Sequence, residues 1–286
     1  MVLPYNMIVF LLLLLPSIAT EEMTTTQQDI GCTSRKHKLI YVHIPKTGGT
    51  TIERSELFDD RRLIGPTGGH HTISNMMKNA NERGISDFHT AATVRHPCNR
   101  FISAFRYLTS DKCNGGDRIQ TQQYIGNRTI DEYVHHLEAT GFANVQMHFK
   151  PQYNFIRSKD GHTIEVDNIL CQEYWDEGVD RLLINTIGHG NRGKFPKLMN
   201  HELSNNNNHK ESCEDLAPET IAAIERLYWL DYCLFGYNSI PRSEFITVGD
   251  ECPSRGLTRV TLSEKFQQCK GKLNSMHSVS YLRQQR

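Results

Sequence analysis

The 286-residue chain has no surplus of charge, since 32 Lys and Arg are balanced by 32 Asp and Glu. A broad basic footprint for nucleic acid is therefore not expected, and any anion site has to be local. None of the eight cysteines forms a C-x-x-C pair, which argues against a zinc ribbon or a thioredoxin-like centre. There is no internal repeat. The chain also has no G-x-x-x-x-G-K-[ST] loop, and no apolar strand run ends in an acid suited to magnesium, so a nucleotide kinase or GTPase is disfavoured. Its longest apolar run, residues 7–15, falls short of the roughly 20 residues that span a bilayer.

That run is followed by Pro16 and by Ser17-Ile18-Ala19, with the small residues Ser17 and Ala19 spaced as in a secretory signal peptide cut after Ala19. Residues 1–6 carry no Lys or Arg, unlike a typical signal peptide, and an uncleaved membrane anchor is the alternative. Membrane association is expected only if the segment stays uncleaved. The chain as a whole has a mean hydropathy of −0.52 and, apart from this run, reads as soluble and globular. An even number of cysteines in an oxidising compartment favours disulfides. Short local loops suggest Cys98–Cys113 and Cys252–Cys269. The sequon Asn127-Arg128-Thr129 predicts an exposed loop in the same compartment.

Residues 20–37 read as a polar linker, 38–240 as one catalytic domain, and 241–286 as a cysteine-containing extension. Within the domain, strands alternate with helices. The apolar runs 39–44, 90–94 and 164–170 suit buried strands. Helices are predicted over 99–108, 130–137 and 177–186, with another whose first turn holds Pro218. Thr50 with Glu53, and Thr129 with Glu132, have the spacing of capping boxes. The alternation predicts an α/β fold with a central parallel sheet flanked by helices.

Two strand-to-helix junctions carry chemistry. In the first, Pro45-Lys46-Thr47-Gly48-Gly49-Thr50-Thr51 follows a strand. Glycines there allow positive φ and close backbone approach, so several N–H groups can converge on one anion. The helix start adds its positive end, and Lys46 and the threonine hydroxyls add charge and direction. Unlike a nucleotide-binding P-loop, the lysine precedes the glycines. In the second, Arg95 ends a strand and Ser103 lies in the helix after it. A guanidinium fork and a hydroxyl suit a phosphate group.

Lys46-Thr-Gly-Gly-Thr-Thr51 followed by Arg95-His-Pro-x-x-Arg-x-x-Ser103 resembles the sulfotransferases that use 3′-phosphoadenosine 5′-phosphosulfate (PAPS). More narrowly it is similar to the Golgi carbohydrate enzymes, the group with the heparan sulfate 2-O- and chondroitin sulfotransferases. The segments His148-Phe-Lys-Pro-Gln152, 195–200 and 230–237 share the likeness more loosely. The resemblance implies a P-loop-like sulfotransferase fold and sulfuryl transfer to a glycan hydroxyl, without a metal, in the Golgi lumen or at its membrane. It implies that Lys46, Thr47, Gly48, Gly49, Thr50 and Thr51 bind the 5′-phosphosulfate, and that Arg95 and Ser103 bind the 3′-phosphate. PAPS, the product PAP and a glycan are the implied partners. Lys46 is suited to stabilise the leaving oxygen. The catalytic base is sought in Gly68-Gly-His-His-Thr-Ile-Ser74, where His70 with Thr72 fits the histidine of the 2-O-sulfotransferase-like branch. His71 is one register away, His148 is a third candidate and Glu53 a fourth. Arg100 is read as supporting the loop or touching the nucleotide, and residues 194–200 as closing over the donor. Tyrosyl-protein sulfation and a catalytically silent, secreted glycan- or nucleotide-binding protein on the same fold are the competing readings.

Overall fold

The computed structural model describes residues 32–53, 55, 57–58, 70–82, 84–113, 115–187, 212–237 and 257–284. The N-terminal apolar run, residues 194–200 and Cys252 lie outside these.

Four strands form one mixed sheet in the order β1-β2-β3-β4, with β1 at Cys32–Ser34, β2 at Leu39–Val42, β3 at His89–Val94 and β4 at Asn168–Cys171. β1 runs antiparallel to β2, while β2, β3 and β4 are parallel, with Val42 opposite Ala92 and Val94 opposite Cys171. The expected α/β architecture is present, with two differences in detail. The segment read as a linker ends in β1, and the third strand begins at Asn168, with Ile164 making only an isolated bridge to Arg157. Three residues without an apolar pattern carry no strand signal of their own; β1 exists because β2 offers it an edge.

The helices are α1 (Gly49–Glu53), α2 (Ile73–Glu82), α3 (Pro97–Thr109), α4 (Gly115–Tyr124), α5 (Ile130–Thr140), α6 (Tyr153–Ile156), α7 (Trp175–Ile187), α8 (Pro218–Leu227), α9 (Trp229–Phe235) and α10 (Arg259–Gln284). Alternation along the strands sorts the core. Ile40, Val42, Ala92, Val94 and Ile169 pack on one face with Ile73 and Met76 of α2, Leu234 of α9 and Leu262 and Phe266 of α10. Leu39, Tyr41, Ala91 and Leu170 face the other way, against Ile52 of α1 and Val179, Leu182 and Leu183 of α7. A separate helical core joins α3, α5 and α8 through Phe101, Tyr133, Val134, Leu137, Ala223 and Ile224. The Thr129–Glu132 capping box is formed at the start of α5, and Asn127 of the sequon just before it is exposed.

Both disulfide expectations are corrected. Cys98 bonds Cys213, and Cys233 bonds Cys269, each across a Cα–Cα distance of 5.9 Å. Cys113 is buried and free. The short loop from Cys98 to Cys113 is filled by α3, a helix of 13 residues. Such a helix rises about 20 Å, far beyond the roughly 7 Å that a bridge allows between Cα atoms. Nearness in sequence was a poor guide because a straight helix intervenes. The second bridge ties α10 onto α9, so the C-terminal extension is stapled where its Leu262 and Phe266 enter the core.

Candidate active site

The parallel strands deliver three loops to one edge of the sheet: residues 43–48 after β2, Arg95 and His96 after β3, and Gln172 and Glu173 after β4. The carboxyl edge of a parallel sheet is the usual ligand position in open α/β folds.

The first loop is built to leave its amides open. Lys46 has φ 65° and Gly48 φ 83°, both left-handed. A lysine there is uncommon and strained, which is a mark of functional loops. Among the described residues, the N–H groups of Lys46, Thr47, Gly48, Gly49 and Thr50 find no protein acceptor; the first such bond is Thr51 N–H to the Gly48 carbonyl, 3.0 Å. Consecutive free amides make an anion nest. α1 is only five residues long, so the amides themselves, more than a long helix dipole, favour an anion. The helix begins at Gly49, which puts Thr50 inside it, and the expected Thr50–Glu53 capping box does not form. Glu53 instead accepts from His43 Nδ1 at 2.7 Å, both side chains being largely buried. Gly49 is required for this pair, since a Cβ there would run into the His43 ring. Gly49→Ala is expected to push His43 off Glu53 and to cost about 1–3 kcal/mol of stability by overpacking, read by thermal unfolding, while Gly115→Ala, with open space around it and no left-handed backbone to strain, serves as a surface control.

Lys46 is half-buried, and its Nζ sits 4.4 Å from the centroid of the Tyr107 ring on α3. Burial, then the nearby Arg95 guanidinium, lower its pKa to about 8, against a smaller upward pull from Asp117. Arg95 leans on the same loop, Nη1 lying 3.4 Å from the Lys46 carbonyl. Its backbone is clasped by the buried Gln152, which accepts from Arg95 N–H at 2.9 Å and donates to its carbonyl at 2.8 Å. Gln152 is held in turn by Asp231, whose carboxylate accepts from the N–H groups of Gln152 and Tyr153 at 2.7 and 2.9 Å. Burial raises the Asp231 pKa to about 6 despite Arg100 and these bonds. Ser103 is half-buried on α3 with no partner among the described residues, three residues after Arg100 and four before Tyr107, hence on their face of the helix.

Arg100 is fully buried and supports the loops. It donates to the carbonyls of His148 at 2.9 Å and Lys150 at 2.7 Å, and lies 3.5 Å from that of Pro45, tying the anion loop to residues 147–150. A lysine has no planar fork to reach two carbonyls at once. Arg100→Lys is expected to cost about 2–3 kcal/mol, by the worth of charged hydrogen bonds, and to lower Tm by roughly 5–10 °C, checked by thermal unfolding.

Of the four candidate bases, the structure gathers two histidines with one that the sequence did not single out. His70 Nδ1 lies 3.1 Å from the His43 carbonyl. Its ring is edge-on to His43 at 4.6 Å and to His148 at 5.2 Å between centroids. A carbonyl only accepts, so His70 carries its proton on Nδ1 and presents a bare Nε2. Burial and the neighbouring His43 lower its pKa to about 4, opposed by the carbonyl bond and by Glu53. His71 is exposed and has no partner among the described residues. Glu53 is engaged by His43. The signal for His43 was its position at the strand end before the loop; nothing local showed that it would meet His70. Gln152 stood in a segment with family likeness, but its contact with Arg95, 57 residues away, is tertiary.

A family model described as "Sulfotransferase family" matches residues 32–238. The chain belongs to the sulfotransferase family, whose general chemistry is sulfuryl transfer. No curated protein and no solved structure matched it.

Proposed function

We propose that the protein transfers the sulfuryl group of PAPS to a hydroxyl of a carbohydrate by in-line displacement. The observation that carries the reading is one loop end holding three elements together: five open amides, the acid-shifted Lys46, and the carbonyl that orients His70. The residues fit the donor. The open amides with Thr47, Thr50 and Thr51 suit the 5′-phosphosulfate, and Arg95 with Ser103 suits the 3′-phosphate. PAPS supplies an activated sulfur–oxygen bond. Lys46 donates to the bridging oxygen as that bond breaks and charge gathers on the departing phosphate. His70 Nε2 takes the proton of the attacking hydroxyl as the new oxygen–sulfur bond forms. The imidazolium is then stabilised by the His43 carbonyl at Nδ1–H and by the Glu53 carboxylate, both of which favour the charged form.

The disulfides Cys98–Cys213 and Cys233–Cys269 support work in an oxidising compartment, and we assign it to the lumen of the secretory pathway.

The pH dependence follows with its signs. In the free enzyme His70 must be neutral, so kcat/KM rises through about pH 4. Lys46 must be charged, so kcat/KM falls through about pH 8. The expected profile is a plateau between these limbs, and Lys46→Arg removes the alkaline limb from whatever activity remains. A falling limb that stays near pH 8 in that variant contradicts the assignment to Lys46.

A further inference from the structure

Three polar groups have no part in the transfer just described: Asp117, Gln146 and His148, the last with its ring beside that of His70. Gln146 and His148 are buried, and they are joined in series. Gln146 Oε1 lies 2.6 Å from the backbone nitrogen of His148 and 2.8 Å from its Nδ1. Gln146 Nε2 lies 3.0 Å from Asp117 Oδ1, and the other carboxylate oxygen of Asp117 accepts from the Tyr107 hydroxyl at 2.9 Å.

The chemistry of the two ends leaves one arrangement of protons. A backbone N–H only donates, so the amide atom facing His148 is the oxygen. An ionised carboxylate only accepts, so the amide atom facing Asp117 is the nitrogen. Both ends therefore demand the same orientation of Gln146. With an acceptor at Nδ1, the proton of His148 resides there, and Nε2 on the opposite edge of the ring is a bare lone pair. Among the described residues nothing donates to that Nε2. His148 also stays neutral. Burial first, then His70, Lys46, Arg100 and His43, lower its pKa to about 2. So low a value makes it a poor base, but a permanent hydrogen-bond acceptor.

The His148 ring is edge-on to His70 at 5.2 Å and tilted against Tyr107 at 5.2 Å, the ring over which Lys46 sits. The site therefore holds two neighbouring imidazoles, each with an unpaired Nε2. When a substrate displaces water, each needs a donor, because a polar atom left unpaired is costly. A phenol brings one O–H. A sugar ring brings hydroxyls on adjacent carbons.

We propose that Asp117 and Gln146 are positioning residues that lock His148 as the Nδ1–H tautomer, and that its Nε2 accepts from a second hydroxyl, adjacent to the one whose proton His70 takes. The acceptor class is then a sugar with two neighbouring free hydroxyls, and a tyrosyl side chain is selected against. The inference rests on the sulfuryl-transfer reading of the site.

The test has two arms on the full-length protein. In the first, histidine-labelled protein is studied by long-range proton–nitrogen NMR, which reports which ring nitrogen is protonated. The wild type is expected to show His148 as a single Nδ1–H tautomer from pH 5 to 8. Gln146→Leu removes the acceptor facing Nδ1, so the Nε2–H tautomer becomes populated; a Gln146 that merely packs against His148 would not shift it. In the second arm, transfer from labelled PAPS is compared on the methyl glycoside of the sugar that takes the label and on its deoxy counterpart lacking the adjacent hydroxyl. His148→Phe is expected to reduce the preference in kcat/KM for the first over the second about tenfold, while His148→Gln, which keeps an acceptor, retains that preference. An Nε2–H tautomer in the wild type, or an equal loss on both glycosides, overturns the proposal. A wild-type chain that shows the Nδ1–H tautomer yet transfers no sulfate overturns instead the sulfuryl-transfer reading and the acceptor assignment that depends on it.

Discussion

Lys46→Ala is expected to lower kcat by about 10²–10³-fold, the usual effect of deleting one preorganised donor to developing charge, and to leave the fold intact. The side chain is half-buried, and it packs against Tyr107 without being paired to any carboxylate in a salt bridge among the described residues. Removing it therefore creates no unpaired buried charge. The backbone conformation at φ 65° is as awkward for alanine as for lysine, so the nest of amides keeps its shape. The loss belongs to kcat because the leaving oxygen acquires most of its charge in the transition state, and an interaction made mainly there changes rate more than binding. PAP should still stabilise the variant against heat, though less than the wild type. A variant that retains full kcat would remove Lys46 from the reaction.

His70→Gln should cost roughly 10²–10⁴-fold in kcat, the range for a general base, with PAP binding little changed. His71→Ala is expected to stay within about twofold of wild type, since surface changes away from a site have small effects. The contrast is informative because the two residues are adjacent in sequence and differ only in what surrounds them. His70 is held by the His43 carbonyl and flanked by two imidazoles, whereas His71 faces solvent. Added imidazole should restore part of the activity of His70→Ala. If His71→Ala is the damaging change instead, the base has been misassigned.

What could be read from the sequence was what local spacing encodes. The glycine pair after an apolar strand, the arginine at the end of the next strand and the Thr129–Glu132 capping box are all defined within a few residues, and the strand–helix alternation followed from the same signals. What could not be read depends on pairing between distant segments. Glu53 had the spacing of a capping residue for Thr50, but the helix starts at Gly49, two residues before such a cap would begin it, and the carboxylate meets His43 instead. Arg100 read as ambiguous because its partners are carbonyls of residues 148 and 150, which carry no side-chain signature. Gln152 on Arg95, and Asp231 on Gln152, are contacts across 57 and 79 residues. The choice between His70 and His71 was a matter of one register, and only the packing of residue 70 under the strand end separates them.

The central claim is that this loop grips a phosphosulfate and passes its sulfuryl group to a sugar. Its most direct test is transfer of labelled sulfate from PAPS to a panel of desulfated heparan, chondroitin and dermatan chains, with tyrosyl peptides alongside. The wild type is expected to label a polysaccharide and no peptide, with Lys46→Ala reducing the label by at least a hundredfold. Label on the peptides alone, or none anywhere together with no PAP binding by calorimetry, would contradict the account.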